Sequence, residues 1–150
     1  MGQEIERKFL VRSDEWRGLA DEGRLIRQGY LSSNAKATVR VRSLDDREAV
    51  ITLKGKVAGL VRSEYEYPIP IEDARELLVM AQPQVLEKTR YHVPHEGLTW
   101  EVDVFEGRHQ GLVLAEIELD SDDQKIALPG WVGKEVSDDE RYYNATLARS

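Results

Sequence analysis

Cysteine is absent from the 150 residues of this chain. Disulfides and thiolate metal sites are therefore excluded, and a metal ion would have to be bound through oxygen or imidazole ligands. Such ligands favour hard ions, above all Mg²⁺ or Mn²⁺. A composition without cysteine also suits the cytoplasm, where we expect the protein to act.

Long apolar runs are missing as well. No stretch reaches the roughly 20 apolar residues that a membrane-spanning helix needs. The opening residues, Met-Gly-Gln-Glu-Ile-Glu, do not contain the apolar core of a signal peptide, and Glu6 stands where myristoylation requires serine or threonine. We therefore expect a protein without a membrane partner.

Positive charge is in deficit, because 21 lysines and arginines stand against 28 aspartates and glutamates, for a net charge of -7. A polyanion would be repelled unless the basic residues were gathered in one place, which argues against nucleic-acid polymers as partners. The length fits a single domain over residues 1–150, without an internal repeat of about 20 to 50 residues. The kind of partner therefore depends on whether the basic residues lie close together in the fold.

Alternation of polar and apolar residues predicts eight β-strands. They cover residues 4–11, 24–33, 37–44, 47–54, 61–69, 84–93, 98–105 and 112–120. Helical spacing predicts an amphipathic helix over 72–81. Capping residues predict further helical segments. These run from Ser13 to Gly23, from Ser121 with Gln124, and from Ser137 with Glu140 to about Arg149.

Charges of one sign fall together along the strands, two residues apart and hence on one face. The like-charged pairs are Glu4 with Glu6, Arg40 with Arg42, Glu64 with Glu66, Lys88 with Arg90, Glu101 with Asp103, and Glu116 with Glu118. Eight such strands form either a sandwich with its charges in solvent or a barrel with its charges inside and helices outside. A solvated surface gains by interspersing signs, so the pairs favour the barrel.

A phosphate chain together with a divalent cation would neutralise both sets of charges. Carboxylates bind the cation, and the guanidinium groups of an Arg-x-Arg pair bind phosphate in bidentate fashion. Lys8, Lys54 and Lys88 would act as point charges along the phosphate oxygens.

The order of these charged residues resembles the CYTH superfamily of triphosphate tunnel metalloenzymes. The matching set is Glu4-x-Glu6-x-Lys8, Arg40-x-Arg42, Lys54, Glu64-x-Glu66, Lys88-x-Arg90, Glu101-x-Asp103 and Glu116-x-Glu118. The resemblance covers nearly the whole chain. It implies an α+β, mainly β fold, in which an eight-stranded antiparallel closed β-barrel forms a tunnel with a few covering helices.

The resemblance also implies roles for individual residues. The ligands of Mg²⁺ or Mn²⁺ would be Glu4, Glu6, Asp103, Glu116 and Glu118. The substrate-binding residues would be Lys8, Arg40, Arg42, Lys54, Arg62, Lys88 and Arg90. Catalytic roles would fall to Lys8 and Tyr30, while Glu64, Glu66 and Glu101 receive no role.

The function that this resemblance implies is metal-dependent hydrolysis of inorganic tripolyphosphate to pyrophosphate and phosphate. Thiamine triphosphatase, nucleoside or RNA triphosphatase and class IV adenylyl cyclase stay open, although the sequence offers little apparatus for reading an adenine ring. A non-catalytic polyphosphate-binding module or a metal-buffering protein is the alternative from another class. The substrate would be a small polyanion, and a homodimer stays open.

Several residues have ordinary interpretations. The three histidines, His92, His95 and His109, share no spacing and are expected at the surface rather than at a metal. The tryptophans, Trp16, Trp100 and Trp131, are expected to pack against the sheet or its helices. The loop at 55–59 lacks the pattern of a nucleotide P-loop.

Overall fold

The computed structural model of the chain describes residues 3–56 and 58–150. Met1 and Gly2 of the opening segment and Val57 of the 55–59 loop lie outside the described residues. The β-strands are β1 (Gln3–Val11), β2 (Arg24–Ser33), β3 (Ala37–Leu44), β4 (Glu48–Gly55), β5 (Val61–Ile69), β6 (Val85–His95), β7 (Leu98–Phe105), β8 (Val113–Glu118) and β9 (Val132–Glu135). The α-helices are α1 (Ile71–Ala81) and α2 (Asn144–Arg149).

Eight of the strands close into an antiparallel barrel, which confirms the predicted fold. Around the ring they follow the order β1, β8, β7, β6, β2, β3, β4 and β5, and β5 returns to β1. The closing pair is formed by the first residues of β1, where Glu4 lies opposite Arg62. The eight predicted strands are therefore all present, with boundaries shifted by a few residues at most.

The ninth strand, β9, was not predicted. It pairs with the second half of β1, on the edge whose first half pairs with β5. The register of this pairing shifts between Phe9 and Val11, which indicates a β-bulge, while β1 stays paired with β8 as far as Leu10. At four residues, β9 is too short for alternation to distinguish it from a loop.

The strand register places the charged residues inside the barrel. Residues directly opposite on paired strands share a face, so Lys8 opposite Glu116 and Tyr30 opposite Arg40 belong to one interior surface. Lys8, Arg40 and Glu116 are each at least nine-tenths buried. Side chains of this kind are buried only where partners or a ligand compensate them.

Helix α1 covers the outer face of β2, β3 and β4, as its amphipathic spacing predicted. Ala74, Leu78 and Ala81 pack there against Val41 of β3. The helix approaches β2 closely at Gly29, where a Cβ atom would lie 2.7 Å from that of Ala81. A glycine is therefore required at this contact because any side chain would force the helix outward.

The second outer cluster covers β1, β6, β7 and β8 and contains the three tryptophans. Trp16 and Trp100 have no exposed surface, and Trp131 is 4% exposed. The ring of Trp100 lies 5.5 Å from that of Phe9 and 5.7 Å from that of Trp131, both edge to face. The expectation that the tryptophans pack against the sheet is thus confirmed.

Two predicted helices differ in the structure. The segment after Ser13 is only a single 3-10 turn, Glu15–Leu19. No helix begins at Ser121, because the Oε1 atom of Gln124 accepts a hydrogen bond from the backbone N–H of Asp120 at 2.6 Å and holds a turn instead. These capping residues satisfy local backbone groups in turns, which is the alternative that such side chains offer to a helix.

The C-terminal helix begins later than its capping pattern indicated. Ser137 does not cap it, because its Oγ accepts a hydrogen bond from the backbone N–H of Lys8 at 2.9 Å. A 3-10 turn over Glu140–Tyr142 follows, and α2 starts only at Asn144. Within the described part of the chain, no helix is long and apolar enough to cross a membrane.

Helix α2 packs against apolar residues of the barrel wall. Leu147 and Ala148 form a buried cluster with Tyr30, Leu86 and Phe105, which belong to β2, β6 and β7. The Nε2–H of His109 also holds this helix by donating to the carbonyl of Leu147 at 2.6 Å. The C-terminal segment is thereby fixed beside the charged interior.

Candidate active site

The ring order sorts the interior charges by sign, except for Lys8, which is a cation on β1. The strands β7, β8 and β1 are neighbours, and they carry the carboxylates of what we call the acidic wall: Glu101, Asp103, Glu116, Glu118, Glu4 and Glu6. The strands β6, β2, β3 and β4 follow one another, and they carry the cations of the basic wall: Lys88, Arg90, Arg40, Arg42 and Lys54. β5 completes the ring with both signs, through Arg62, Glu64 and Glu66.

Like charges crowd one another on the acidic wall. Burial, followed by repulsion from the neighbouring carboxylates Glu116 and Glu4, raises the pKa of Glu6 to about 8, against the opposing effect of Lys54 and Lys8. Burial, followed by repulsion from Glu4 and other carboxylates, also raises the pKa of Glu118. Negative charge on this wall is thus poorly compensated by the protein, and a divalent cation would stabilise it.

The carboxylates of the acidic wall fit a hard divalent ion by chemical type, since all their donor atoms are oxygens. Among residues 3–56 and 58–150, however, no three acidic or histidine side chains already converge as a metal site. Three of the predicted ligands, Asp103, Glu116 and Glu4, are engaged by cations of the chain itself. Binding of an ion by these three residues would therefore require an exchange of partners.

The ion pairs of Asp103 are the tightest in the interior. Its Oδ2 lies 2.7 Å from Lys88 Nζ, and Arg90 donates to both of its oxygens at 2.8 and 2.9 Å. Burial by itself would raise the pKa of Asp103, but the charges of Arg90 and Lys88 outweigh it and hold the pKa far below its usual range. Burial lowers the pKa of Lys88 to about 7, and Asp103 opposes that shift only in part.

Glu116 connects this cluster to Lys8. Arg90 Nη2 donates to Glu116 Oε1 at 3.0 Å, and Lys8 Nζ lies 3.7 Å from Glu116 Oε2. Lys8 Nζ also donates to the carbonyl of Tyr142 at 3.0 Å. Burial raises the pKa of Glu116, but Lys8 and Arg90 lower it more, so the residue stays ionised near neutral pH.

The basic wall repels itself where its arginines meet. Burial, then the charges of Arg40 and Arg90, lower the pKa of Arg42 to about 9, which still leaves it a cation at neutral pH. Arg40 Nη2 donates to Thr52 Oγ1 at 3.4 Å, whereas its buried Nε has no hydrogen-bond partner among residues 3–56 and 58–150. A buried donor of this kind is costly unless an acceptor reaches it, and an anion in the barrel would supply one.

The two walls meet at Lys54. Its Nζ lies 2.8 Å from Glu4 Oε1 and 3.6 Å from Glu64 Oε2. Nearby, Arg62 donates to the carbonyl of Gly55 at 2.7 Å. Lys54 is thus paired with carboxylates of β1 and β5 where the two walls adjoin.

An interior cavity of about 840 Å³ joins these groups. Seven of the predicted site residues line it: Glu4, Glu6, Lys8, Tyr30, Arg40, Lys54 and Arg62. The others do not: Arg42, Lys88, Arg90, Asp103 and Glu116 form the adjoining buried cluster, and Glu118 is an exposed residue at the end of β8.

The sequence did not reveal two residues that contact predicted site residues. Asn144 lines the cavity and accepts a hydrogen bond from Lys88 Nζ at 3.1 Å. Gln28 is buried between Arg42 and Tyr30 and bonds to both. Of the two, only Gln28 could have been inferred from the sequence, because alternation places it on the same strand face as Tyr30.

Known proteins share the fold and much of the sequence. Residues 2–145 match the CYTH domain family. An inorganic triphosphatase of Acetivibrio thermocellus is 45% identical over 151 residues, which cover 100% of this chain and 96% of that protein. An inorganic triphosphatase of Nitrosomonas europaea is 38% identical over 156 residues, or 98% and 97% of the two chains. A solved structure of an inorganic triphosphatase has a TM-score of 0.70 and 35% identity, with 97% of each chain covered.

Proposed function

Since this chain belongs to the CYTH domain family, we propose that it is a metal-dependent triphosphatase that hydrolyses inorganic tripolyphosphate to pyrophosphate and phosphate. The observation that carries the proposal is the arrangement of an acidic and a basic wall around one interior cavity. A bare phosphate chain with a divalent ion complements both walls at once.

The basic wall would bind the phosphate chain. The buried Nε of Arg40 meets no acceptor in the described part of the chain and would gain one when a phosphate oxygen enters. Lys54 and Arg62 line the same cavity and would neutralise further oxygens. Lys88 and Arg90 would act from the adjoining cluster, where they are paired with Asp103. Charge-assisted contacts of this type are the strong hydrogen bonds in proteins.

The acidic wall would hold Mg²⁺ or Mn²⁺ through Glu4, Glu6, Asp103, Glu116 and Glu118. When bound, such an ion supplies charge neutralisation at the phosphate oxygens and assists the ionisation of water. Glu6 fits this role because burial, and then the like charges of Glu116 and Glu4, raise the pKa of its carboxyl, and a cation would compensate those charges. Asp103 and Glu116 would join once the phosphate chain has drawn Lys88, Arg90 and Lys8 away from them.

Lys8 and Tyr30 would act at the reacting phosphate. Both line the cavity, and both present hydrogen-bond donors there. Donors fixed in a water-poor site stabilise charge that develops in the transition state without reorganisation. Lys8 is held in place by the carbonyl of Tyr142, so its ammonium group is oriented before the substrate arrives.

We expect residues 1–150 to form one catalytic domain that binds a small polyanion as its substrate. The cysteine-free composition favours the cytoplasm as the place of action. A homodimer stays a prediction.

Phosphate release from tripolyphosphate, thiamine triphosphate and ATP, with and without Mg²⁺ or Mn²⁺, tests the function. We expect the highest kcat/KM for tripolyphosphate and no turnover after thorough chelation. Faster hydrolysis of ATP, or formation of cyclic AMP, would replace this function by that of a nucleotide enzyme. Tight binding of tripolyphosphate without phosphate release would indicate a binding module instead.

A pair of lysine variants connects the activity to the cavity. Lys54→Met should raise KM at least tenfold, because it removes a cation from the cavity lining. Lys125→Met makes the same chemical change at an exposed position outside the barrel and should leave KM unchanged.

A further inference from the structure

Gln28 is a fully buried amide in the middle of the charged interior. It lies on β2, directly opposite Arg42 of β3, and none of its surface is exposed. Its Oε1 accepts hydrogen bonds from Arg42 Nε at 3.0 Å and from Arg42 Nη2 at 2.9 Å. Its Nε2 donates to the hydroxyl oxygen of Tyr30 at 3.0 Å. One side chain thus links a predicted phosphate-binding arginine to a predicted catalytic tyrosine.

The orientation of this amide is fixed by chemistry. A guanidinium group has donors only, so the carbonyl oxygen of Gln28 has to face Arg42 and its NH₂ group has to face Tyr30. The tyrosine oxygen therefore accepts a hydrogen bond from Gln28. Its own proton is then left to donate to another group, and Tyr30 lines the cavity in which the substrate would lie.

We propose that Gln28 is a positioning residue that makes the Tyr30 hydroxyl a donor toward the bound phosphate chain while it holds the Arg42 guanidinium in a fixed plane. The inference rests on the proposed triphosphatase function. Gln28 itself does not line the cavity, and it would act only through the two residues that it contacts. A leucine of similar size would fill the same space but would leave Arg42 and Tyr30 without this partner.

Gln28→Glu tests the proposal because it keeps the shape and reverses one hydrogen bond. A carboxylate still accepts from Arg42, but it can only accept from Tyr30, so the tyrosine proton turns away from the cavity. We expect kcat for tripolyphosphate to fall about 10²-fold, as for the loss of one preorganised donor. Gln110→Glu makes the same change at an exposed position outside the barrel and should keep the kcat of the unmodified protein.

A double-mutant cycle separates positioning from packing. Tyr30→Phe removes the hydroxyl that Gln28 orients, so in the Tyr30→Phe background the Gln28→Glu change should lower kcat by no more than about threefold. Equal losses of kcat in the two backgrounds, or a Gln28→Glu variant as fast as the unmodified protein, would overturn the proposal. A purely structural glutamine would lower the melting temperature in both backgrounds and leave the two losses of kcat independent.

If Gln28→Glu does not fold, a second variant of the same residue replaces it in the double-mutant cycle. Gln28→Met keeps the volume without any charge, and its loss of kcat should again depend on whether the Tyr30 hydroxyl is present. If the unmodified protein releases no phosphate from tripolyphosphate with either metal ion, the proposed function fails, and this inference fails with it. If the unmodified protein is active but the cycle is additive, the inference alone is wrong.

Discussion

At the scale of single residues, two carboxylates of the same wall have opposite energetic characters. Asp103 is held between Lys88 and Arg90, and its pKa is far below the usual range. Glu6 is half-buried beside Glu116 and Glu4, and its pKa is raised to about 8. Their surroundings, rather than their chemical type, decide whether each negative charge stabilises the folded protein.

The contrast predicts how Glu6→Gln changes stability with pH. Because the folded pKa of Glu6 is about 8 against its ordinary value of 4.5, the folded protein keeps a proton that the unfolded chain releases. The stability from this proton is fully present below about pH 4.5 and is lost as the pH rises through about 8. Metal-free Glu6→Gln should therefore gain on the unmodified protein across this window, by at most about 1.4 kcal/mol per pH unit.

Urea unfolding of both proteins between pH 5 and pH 8, in the presence of a chelator, measures this difference. The exposed Glu22→Gln is the control and should show no such trend.

Asp103→Asn should have the opposite effect on stability and lower the free energy of unfolding by about 3–5 kcal/mol, because Lys88 and Arg90 lose their buried partner. The same urea unfolding measures this loss.

In the presence of Mg²⁺, Glu6→Gln should also lose phosphate release by orders of magnitude. Unchanged catalysis would show that Glu6 does not belong to the site.

At the scale of elements, helix α1 covers the outer face of a part of the barrel wall whose inner face carries polar side chains. Helix α1 lies over β2, β3 and β4, and it covers the outside of the strand whose inner face carries Gln28 and Tyr30. The contact depends on Gly29, where the strand and helix come closest. Alternate residues of the same backbone form the two faces of β2. A displacement of the strand caused by its outer packing therefore also moves the side chains on its inner face.

Gly29→Ala should therefore destabilise the protein through α1. The added Cβ would lie 2.7 Å from Ala81 Cβ and 3.2 Å from Leu78 Cδ2, so the helix has to move. Overpacking of this kind typically lowers the free energy of unfolding by about 1–3 kcal/mol. Thermal melts check the result against Gly18→Ala, where a Cβ meets nothing within 4 Å. Equal melting temperatures for the two variants would contradict the tight contact.

At the scale of the whole molecule, the barrel separates charge. The chain carries a net charge of -7, yet its basic strands are gathered on one side of the interior. Burial, and then repulsion from Arg40 and Arg90, lowers the pKa of Arg42. The gathered cations thus reduce the stability of the folded protein, and a bound polyanion can relieve this cost.

Tripolyphosphate should accordingly raise the melting temperature. By mass action, a concentration of about 100 times Kd stabilises the folded protein by roughly 2.7 kcal/mol. Sulfate should act in the same direction at higher concentrations, because it satisfies fewer of the cations. The rise should shrink in Lys54→Met and persist in Lys125→Met. The absence of any shift at millimolar tripolyphosphate would contradict an accessible basic wall.

The sequence by itself determined the strands and the direction of their side chains. The predicted bounds 24–33, 37–44, 61–69 and 98–105 coincide with β2, β3, β5 and β7. Alternation is a local property of the backbone, and like-charged pairs two residues apart necessarily share a face. Alternation therefore predicted that Arg40 shares a face with Arg42 and Asp103 with Glu101, and the like signs of these pairs, rather than alternation itself, favoured an inward position.

Only the tertiary structure decided which charges meet. Lys88 and Asp103 are paired at 2.7 Å, Gln28 joins Arg42 to Tyr30, and Ser137 binds the backbone of β1 instead of capping a helix. Each contact joins strands or segments whose relative register is set by the closure of the barrel. Local sequence patterns define the two faces of a strand but do not specify which strands lie beside it. The acidic and basic walls therefore form only when the ring closes.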